Sequence, residues 1–389
     1  MGGKDVTLHK DLTRLESESN KRNPYEEHYL LKNPFPNSGE TALYVCTDQD
    51  EIRKEFISVL GNFSSEAKRL RINGTNGAGK TNILKYFELL TNEARERGHI
   101  GNIFPVYVRD PGESYFEIHR QIVEKLGALF LGPLLETLQS NTSQLENLKS
   151  VGELLIGMRA LLPTGAITYI PKRERKSEIF VHWLKGGKLT AADKKELSFQ
   201  GWAPSDITSA SLAIRYLSDF LSVLEEFELC SGIVLLFDEF EVIFQVLPRA
   251  RQSRYAQDLR HLLDTLKESV FFVIATVPNP KDLSQYPAIE RRMEDTFRLH
   301  PIDSLELATD FVMEYLNRGR DEYEDALKIL NVEPQMTRPT DLLPLTLEDV
   351  KAEFSSMNEE FGDSEFDVLP GYFLPRIRKR IQQIVENMS

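Results

Sequence analysis

Gly74-Thr75-Asn76-Gly77-Ala78-Gly79-Lys80-Thr81 fills every fixed position of the pattern G-x-x-x-x-G-K-[ST]. Each fixed residue has a physical task. Glycines at 74, 77 and 79 let the backbone reach positive φ and approach an anion without a Cβ in the way. Successive N–H groups then form a nest for a phosphate at the start of the following helix. Lys80 is placed to reach the β- and γ-phosphates, and the Thr81 hydroxyl is a hard oxygen ligand for Mg²⁺. With Asn82, which continues into the helix, residues 74–82 are the candidate nucleotide-binding set.

The flanks are those the motif needs. Arg69-Leu-Arg-Ile-Asn73 alternates at period two, as a short strand does, and Ile83, Leu84, Tyr86, Phe87, Leu89 and Leu90 form a helical apolar stripe. Further on, Asn102–Val108, Gly232–Phe237 and Val270–Val277 read as buried strands, with a shorter one at 297–301. Helices are expected between them, including one from about Ser205 to Phe227 and one from Arg251 to Glu268. Strands alternating with helices give a parallel α/β sheet. Beyond 302 only helices are expected, at 303–319, 322–331, 346–361 and 373–387, separated by proline- and glycine-containing breaks.

Asp238-Glu239 ends the most apolar strand. Asp238 there suits a Mg²⁺ shell, and Glu239 suits the general base on a water attacking the γ-phosphate. Glu241 is a further acid, less well placed because it lies past the strand end. Thr276, at the end of a later strand, is the candidate to orient that water, with Asn279 as the alternative. Leu43 to Val45 is a candidate apolar cover for a nucleotide base.

A P-loop, an apolar strand ending in Asp-Glu, a polar strand end, Arg291-Arg292 before the last strand and a helical C-terminus together resemble an AAA+ ATPase. The resemblance is to the branch holding origin-recognition initiators, STAND-like signalling ATPases and transposition regulators. Trp183-Leu-Lys-Gly-Gly-Lys-Leu-Thr-Ala, Gly232-Ile-Val-Leu-Leu-Phe-Asp-Glu-Phe-Glu and Arg251-Gln-Ser-Arg-Tyr are also similar to ATP-binding proteins of bacterial phage-defence islands of the BREX type. The AAA+ resemblance covers about residues 35–388. It implies a five-stranded parallel sheet of order 5-1-4-3-2, ATP and Mg²⁺ as cofactors, and homo-oligomers sharing sites between subunits. It also implies that Arg291 or Arg292 reaches a neighbouring subunit's γ-phosphate and that Arg376 senses phosphates from the helical lid. Asn33-Pro34-Phe35 resembles the opening of the nucleotide domain. The expected organisation is a polar arm at 1–32, a nucleotide-binding domain at 33–301 with a helical insertion at about 110–230, and a lid at 302–389.

The function so implied is an ATP-hydrolysing oligomeric switch driving a nuclease-, helicase- or transposase-like effector in anti-phage defence. The alternatives are a nucleotide-bound scaffold and a DNA-loading ATPase of the transposition or replication type. The chain has 389 residues and a net charge of −13, which excludes coating nucleic acid with the whole surface. A local basic surface remains open, at Lys172–Lys176 or at Arg376, Arg378, Lys379 and Arg380; a solvated face is the plainer reading of the first. Two cysteines suit reduced thiols in the cytoplasm, and no run approaches a membrane span. No guanine-binding N/T-K-x-D motif and no LSGGQ-like signature occurs.

Overall fold

The computed structural model describes residues 23–37, 47–63, 69–140, 170–197, 204–266, 270–278, 286–293, 295–334, 336–361 and 368–388. Two compact units divide the chain. One comprises Gln49–Asn76 and Ile83–Leu299; the other comprises Met1–Asp48, Gly77–Asn82 and His300–Ser389.

The larger unit begins with α1 (Asp50–Gly61) and β1 (Arg69–Asn73), followed by α2 (Lys80–Glu96) and β2 (Ile103–Val108). Four helices follow: α3 (Tyr115–Ser140), α4 (Ile170–Leu184), α5 (Ala191–Glu196) and α6 (Ala210–Glu226). Then come β3 (Gly232–Phe237), α7 (Val242–Val246), α8 (Arg249–Thr265), β4 (Val270–Thr276), α9 (Pro287–Glu290) and β5 (Asp295–Arg298). The strand order is β2-β3-β4-β1-β5 and every pairing is parallel. Read from the other edge this is 5-1-4-3-2, the order of the AAA+ core.

Every residue of β3 and β4 is buried, as their unbroken apolar sequences require of central strands covered on both faces. Alternation sends neighbouring phenylalanines to opposite sides. Phe271 meets Phe56 of α1 at a centroid distance of 5.4 Å, and Phe56 stacks on Phe87 of α2 at 3.8 Å. Phe272 instead stacks on Phe237 of β3 at 6.5 Å. β5 ends earlier than its sequence suggests. Its register with β1 spans four residues, Leu70↔Asp295 to Asn73↔Arg298, and the Leu299 N–H then bonds the Asn73 carbonyl at 2.8 Å.

The helices between β2 and β3 share one core with the sheet. Trp183 is fully buried and donates its indole N–H to the Ser205 carbonyl at 2.8 Å. Ser209 caps α6 by accepting the Leu212 N–H, so this helix starts at Ala210 and not at Ser205. Residues 141–169, expected to be partly helical, lie outside the described residues.

In the second unit, a short turn of helix (Glu26–His28) precedes α10 (Leu305–Leu330), α11 (Leu347–Phe361) and α12 (Pro370–Met388). Here the structure differs from expectation twice. A break was expected near residue 320, but α10 is one helix. Gly319 costs a helix interior roughly 1 kcal/mol relative to Ala. The space it leaves is taken by Leu30 and Pro34, which a Cβ would meet at 2.8 and 2.9 Å. The glycine therefore marks a close approach, not a stop.

The second difference is the boundary at 32/33. Residues 23–37 pack into the helical unit, because their aromatics find partners there. Phe35 stacks on Tyr315 at 5.6 Å and Tyr29 lies 4.9 Å from Tyr323. The Asn33 side chain donates to the Arg378 carbonyl at 3.0 Å, and the Arg378 guanidinium donates to the Phe35 carbonyl. Asn33-Pro34-Phe35 thus belongs to the helical unit's core.

Candidate functional site at the carboxyl edge of the sheet

In the larger unit, β1, β4 and β3 end side by side. Asn73 pairs with Thr276, and Phe237 pairs with Ile274. The Gly74 N–H continues the ladder by bonding the Thr276 carbonyl at 3.1 Å. The glycine-rich loop therefore leaves the sheet beside Thr276, one strand from Asp238. This is the crevice outside the carboxyl ends of parallel strands, where open α/β sheets bind ligands.

Asp238 is 1% exposed. Its backbone N–H bonds the Val108 carbonyl at 2.9 Å, which extends the β2–β3 ladder by one step. Its side chain is gripped at both oxygens. Oδ1 accepts the Glu239 N–H at 3.0 Å, and Oδ2 accepts the Tyr107 hydroxyl at 2.7 Å. Both of these donors are neutral. Burial, and after it the neighbouring Asp238, raises the Tyr107 phenol well above its ordinary value, so it remains a donor.

Glu239 is exposed and sits at φ 49°. That left-handed conformation is unfavourable for a residue with a Cβ, at a cost of order 1–3 kcal/mol when fixed by its surroundings. Here the Phe240 N–H, bonded to the Ala275 carbonyl at 3.3 Å, helps to hold the turn. The chain reverses sharply after Asp238 and turns the Glu239 carboxylate outward. Glu241 is buried and occupies the N-cap position of α7. Thr276 is 2% exposed and its hydroxyl donates to the Val277 carbonyl at 3.1 Å. Asn279 and Leu43–Val45 lie outside the described residues.

The second half of the loop, Gly77–Asn82, is counted with the helical unit. Gly77 and Gly79 take φ of +88° and +94°, the nest-forming geometry that the motif requires. Lys80, first residue of α2, is only 8% exposed. The Gly371 N–H, at the start of α12, donates to the Gly77 carbonyl at 2.9 Å. A Cβ on Gly371 would stand 2.8 Å from the Gly77 Cα. Read from sequence alone, Leu369-Pro-Gly371 was merely a break between helices; close backbone approach is what its glycine serves. Within this unit the loop offers what a bound phosphate needs, amide donors at positive φ and a sheltered ammonium.

The arginines fall into two groups. Arg292 is committed. Its Nε and Nη2 donate to the two oxygens of Asp264 at 2.7 and 2.9 Å, a bidentate pair that holds the Asp264 carboxyl below its usual range. Arg291 is exposed and donates its Nε to the Pro287 carbonyl at 3.3 Å. Arg376 pairs with Glu360 and donates to the Ser356 hydroxyl at 3.4 Å. Arg380 makes two bonds to Asp349, at 2.8 and 2.7 Å. With Arg378 on the Phe35 carbonyl, three of the four cations at 376–380 have partners inside their own unit. In the other cluster, Arg175 pairs with Glu196 at 3.1 Å.

Tyr107 was not foreseen. The signal for it is weak: Tyr107 is a part-buried residue between buried Val106 and Val108, and only the register beside β3 shows what it touches.

No family profile matches the chain, and none of the curated proteins matches it. Among solved structures it is similar to the ORC2 protein of Aeropyrum pernix in its ADPNP-ADP complexes, with a TM-score of 0.40 and 14% identity. That match covers 94% of this chain and 72% of the other. The ADP form of the same protein gives a TM-score of 0.40 and 12% identity over 93% of this chain and 72% of that one. Cdc6p of Pyrobaculum aerophilum gives 0.36 and 14%, over 82% of this chain and 66% of that one.

Proposed function

We propose that this chain binds ATP with Mg²⁺ at residues 74–82 and hydrolyses it, and that it works as an oligomeric switch. The observation that carries the reading is the sheet edge itself. The complete phosphate-loop motif springs from β1 beside Thr276, one strand from a buried, doubly gripped Asp238.

In this reading the loop amides and the Lys80 ammonium bind the phosphates, and Thr81 and Asp238 hold the magnesium. The metal's part is to neutralise phosphate charge as it develops. Glu239 takes the proton of the attacking water, and its outward turn leaves it accessible to one. Thr276 orients that water. Arg291, the exposed member of its pair, is the one suited to reach the γ-phosphate of an adjoining subunit, and Arg376 would exchange Glu360 for phosphate when nucleotide is present. Regulation of an effector acting on nucleic acid, in anti-phage defence, is the biological role that the sequence resemblance suggests.

The test is hydrolysis and size measured together on the purified chain. Wild type should release phosphate from ATP only with Mg²⁺. Glu239→Gln should keep ATP, cease turnover and accumulate as a larger species than wild type. Phosphate release equal to that of Lys80→Ala would refute the hydrolytic reading, and a single monomer size in every state would refute the shared site.

A further inference from the structure

Three side chains beside the sheet edge form a relay that the phosphate motif does not include. We propose that Tyr107 is a positioning residue for the metal-binding carboxylate of Asp238, and that Lys85 supports it from α2. The proposal rests on the reading of Asp238 as a Mg²⁺ ligand.

The geometry runs outward from the carboxylate. A carboxylate held at one oxygen can still rotate about its Cβ–Cγ bond, since this terminal torsion is broad. Asp238 is held at both: the Glu239 N–H reaches Oδ1 at 3.0 Å and the Tyr107 hydroxyl reaches Oδ2 at 2.7 Å. The two donors come from different strands, so together they fix the plane of the group. The amide is backbone and cannot be lost by substitution. Tyr107 is the adjustable half. Magnesium demands near-ideal octahedral geometry at short range, so a ligand plane free to swing costs it more than it would cost calcium. Partners one shell out tune metal affinity for this reason.

Lys85 adds the second element. Its ammonium stands 3.4 Å from the centroid of the Tyr107 ring, within the range of a cation–π contact. A cation over the face draws electron density from the ring and makes the phenol a better donor. Lys85 is itself steadied by Glu88 at 2.8 Å, with side-chain exposures of 25% and 20%. Lys85 lies one helical turn beyond Thr81 on α2, the helix that the phosphate loop opens. The contact therefore ties the first turns of that helix to the orientation of Asp238.

The experiment titrates Mg²⁺ against binding of a fluorescent ATP analogue, and repeats the nucleotide titration in EDTA. Tyr107→Phe keeps the ring and the cation–π contact and removes one hydroxyl. It should raise the half-saturating Mg²⁺ concentration by about 3- to 10-fold, the worth of one hydrogen bond. Affinity in EDTA should stay at the wild-type value. Lys85→Met, which keeps an unbranched chain of similar length on the helix, should shift the Mg²⁺ midpoint the same way by about 2-fold. Wild-type Mg²⁺ curves in both variants would overturn the proposal, as would equal losses with and without metal. If wild type itself binds the analogue without regard to Mg²⁺, Asp238 is not a metal ligand; the underlying reading then fails, and this proposal with it.

Discussion

The acids at the end of β3 and the arginines of the helical unit are both polar groups set against an apolar core, yet they are held in opposite ways. Asp238 is oriented by a phenol hydroxyl and a backbone amide, both neutral donors. Arg380 is answered by a carboxylate, making two bonds to Asp349. Groups of the second kind have spent their bonding on the fold. The two donors to Asp238 instead fix its orientation, which a ligand for a cation requires. Residue type alone does not separate the two; the partner does.

The contrast can be broken most sharply at Arg291 and Arg292, adjacent in sequence but opposite in commitment. Arg291→Ala should lower ATP turnover by about 1,000-fold, the lower end of what a transferred arginine contributes, without lowering the melting temperature. Arg292→Ala should leave turnover near wild type and lower the melting temperature slightly, by loss of the bidentate pair with the part-exposed Asp264. Reversed results would show that the committed arginine is the functional one.

The next effect belongs to the helical unit. Gly319→Val would drive branched carbon into Leu30 and Pro34. Overpacking of this sort costs about 1–3 kcal/mol, seen as a lower denaturation midpoint, while affinity for ATP should be unchanged.

His119 tests the same principle by pH. It is fully buried on α3, its Nε2 lies 2.6 Å from the Leu184 carbonyl, and burial lowers it to about 4. The unfolded chain, with histidine near 6.5, binds the extra proton first. Stability from this group is therefore complete above about pH 6.5 and is lost progressively as pH falls toward 4. The loss at pH 5 is about 2 kcal/mol. Denaturation of wild type and His119→Gln at pH 7 and pH 5 should show a shallower pH slope in the variant.

The smallest effect is expected at Arg380→Ala. Its pair with Asp349 has side-chain exposures of 43% and 11%. Solvent screening holds such a pair under about 1 kcal/mol, and neither nucleotide affinity nor turnover should move.

The fold was legible where local chemistry was strong. Unbroken apolar runs bounded by turns gave β3 and β4 as buried central strands, and the residues flanking the glycine loop gave the strand before it and the helix after it. Less was legible where one residue type serves two purposes. Gly371 read as part of a helix break, and a boundary was expected just after Gly319, because a sequence cannot show what approaches a missing Cβ. The run at 376–380 read as basic because its carboxylate and carbonyl partners lie up to 343 residues away, as the Arg378–Phe35 bond shows. Tyr107 was silent for a related reason. Its partner Asp238 is 131 residues distant, and only strand register brings the two together.

The central claim is that residues 74–82 cradle a nucleotide whose magnesium is held by Asp238. Calorimetric titration of ATP into wild type, Lys80→Ala and Asp238→Asn, each with Mg²⁺ and with EDTA, tests it most directly. Wild type should bind, and bind more tightly with Mg²⁺. Lys80→Ala should lose binding in both conditions, and Asp238→Asn should lose only the increment that Mg²⁺ provides. Equal affinity in all three proteins, with or without the metal, would contradict the account.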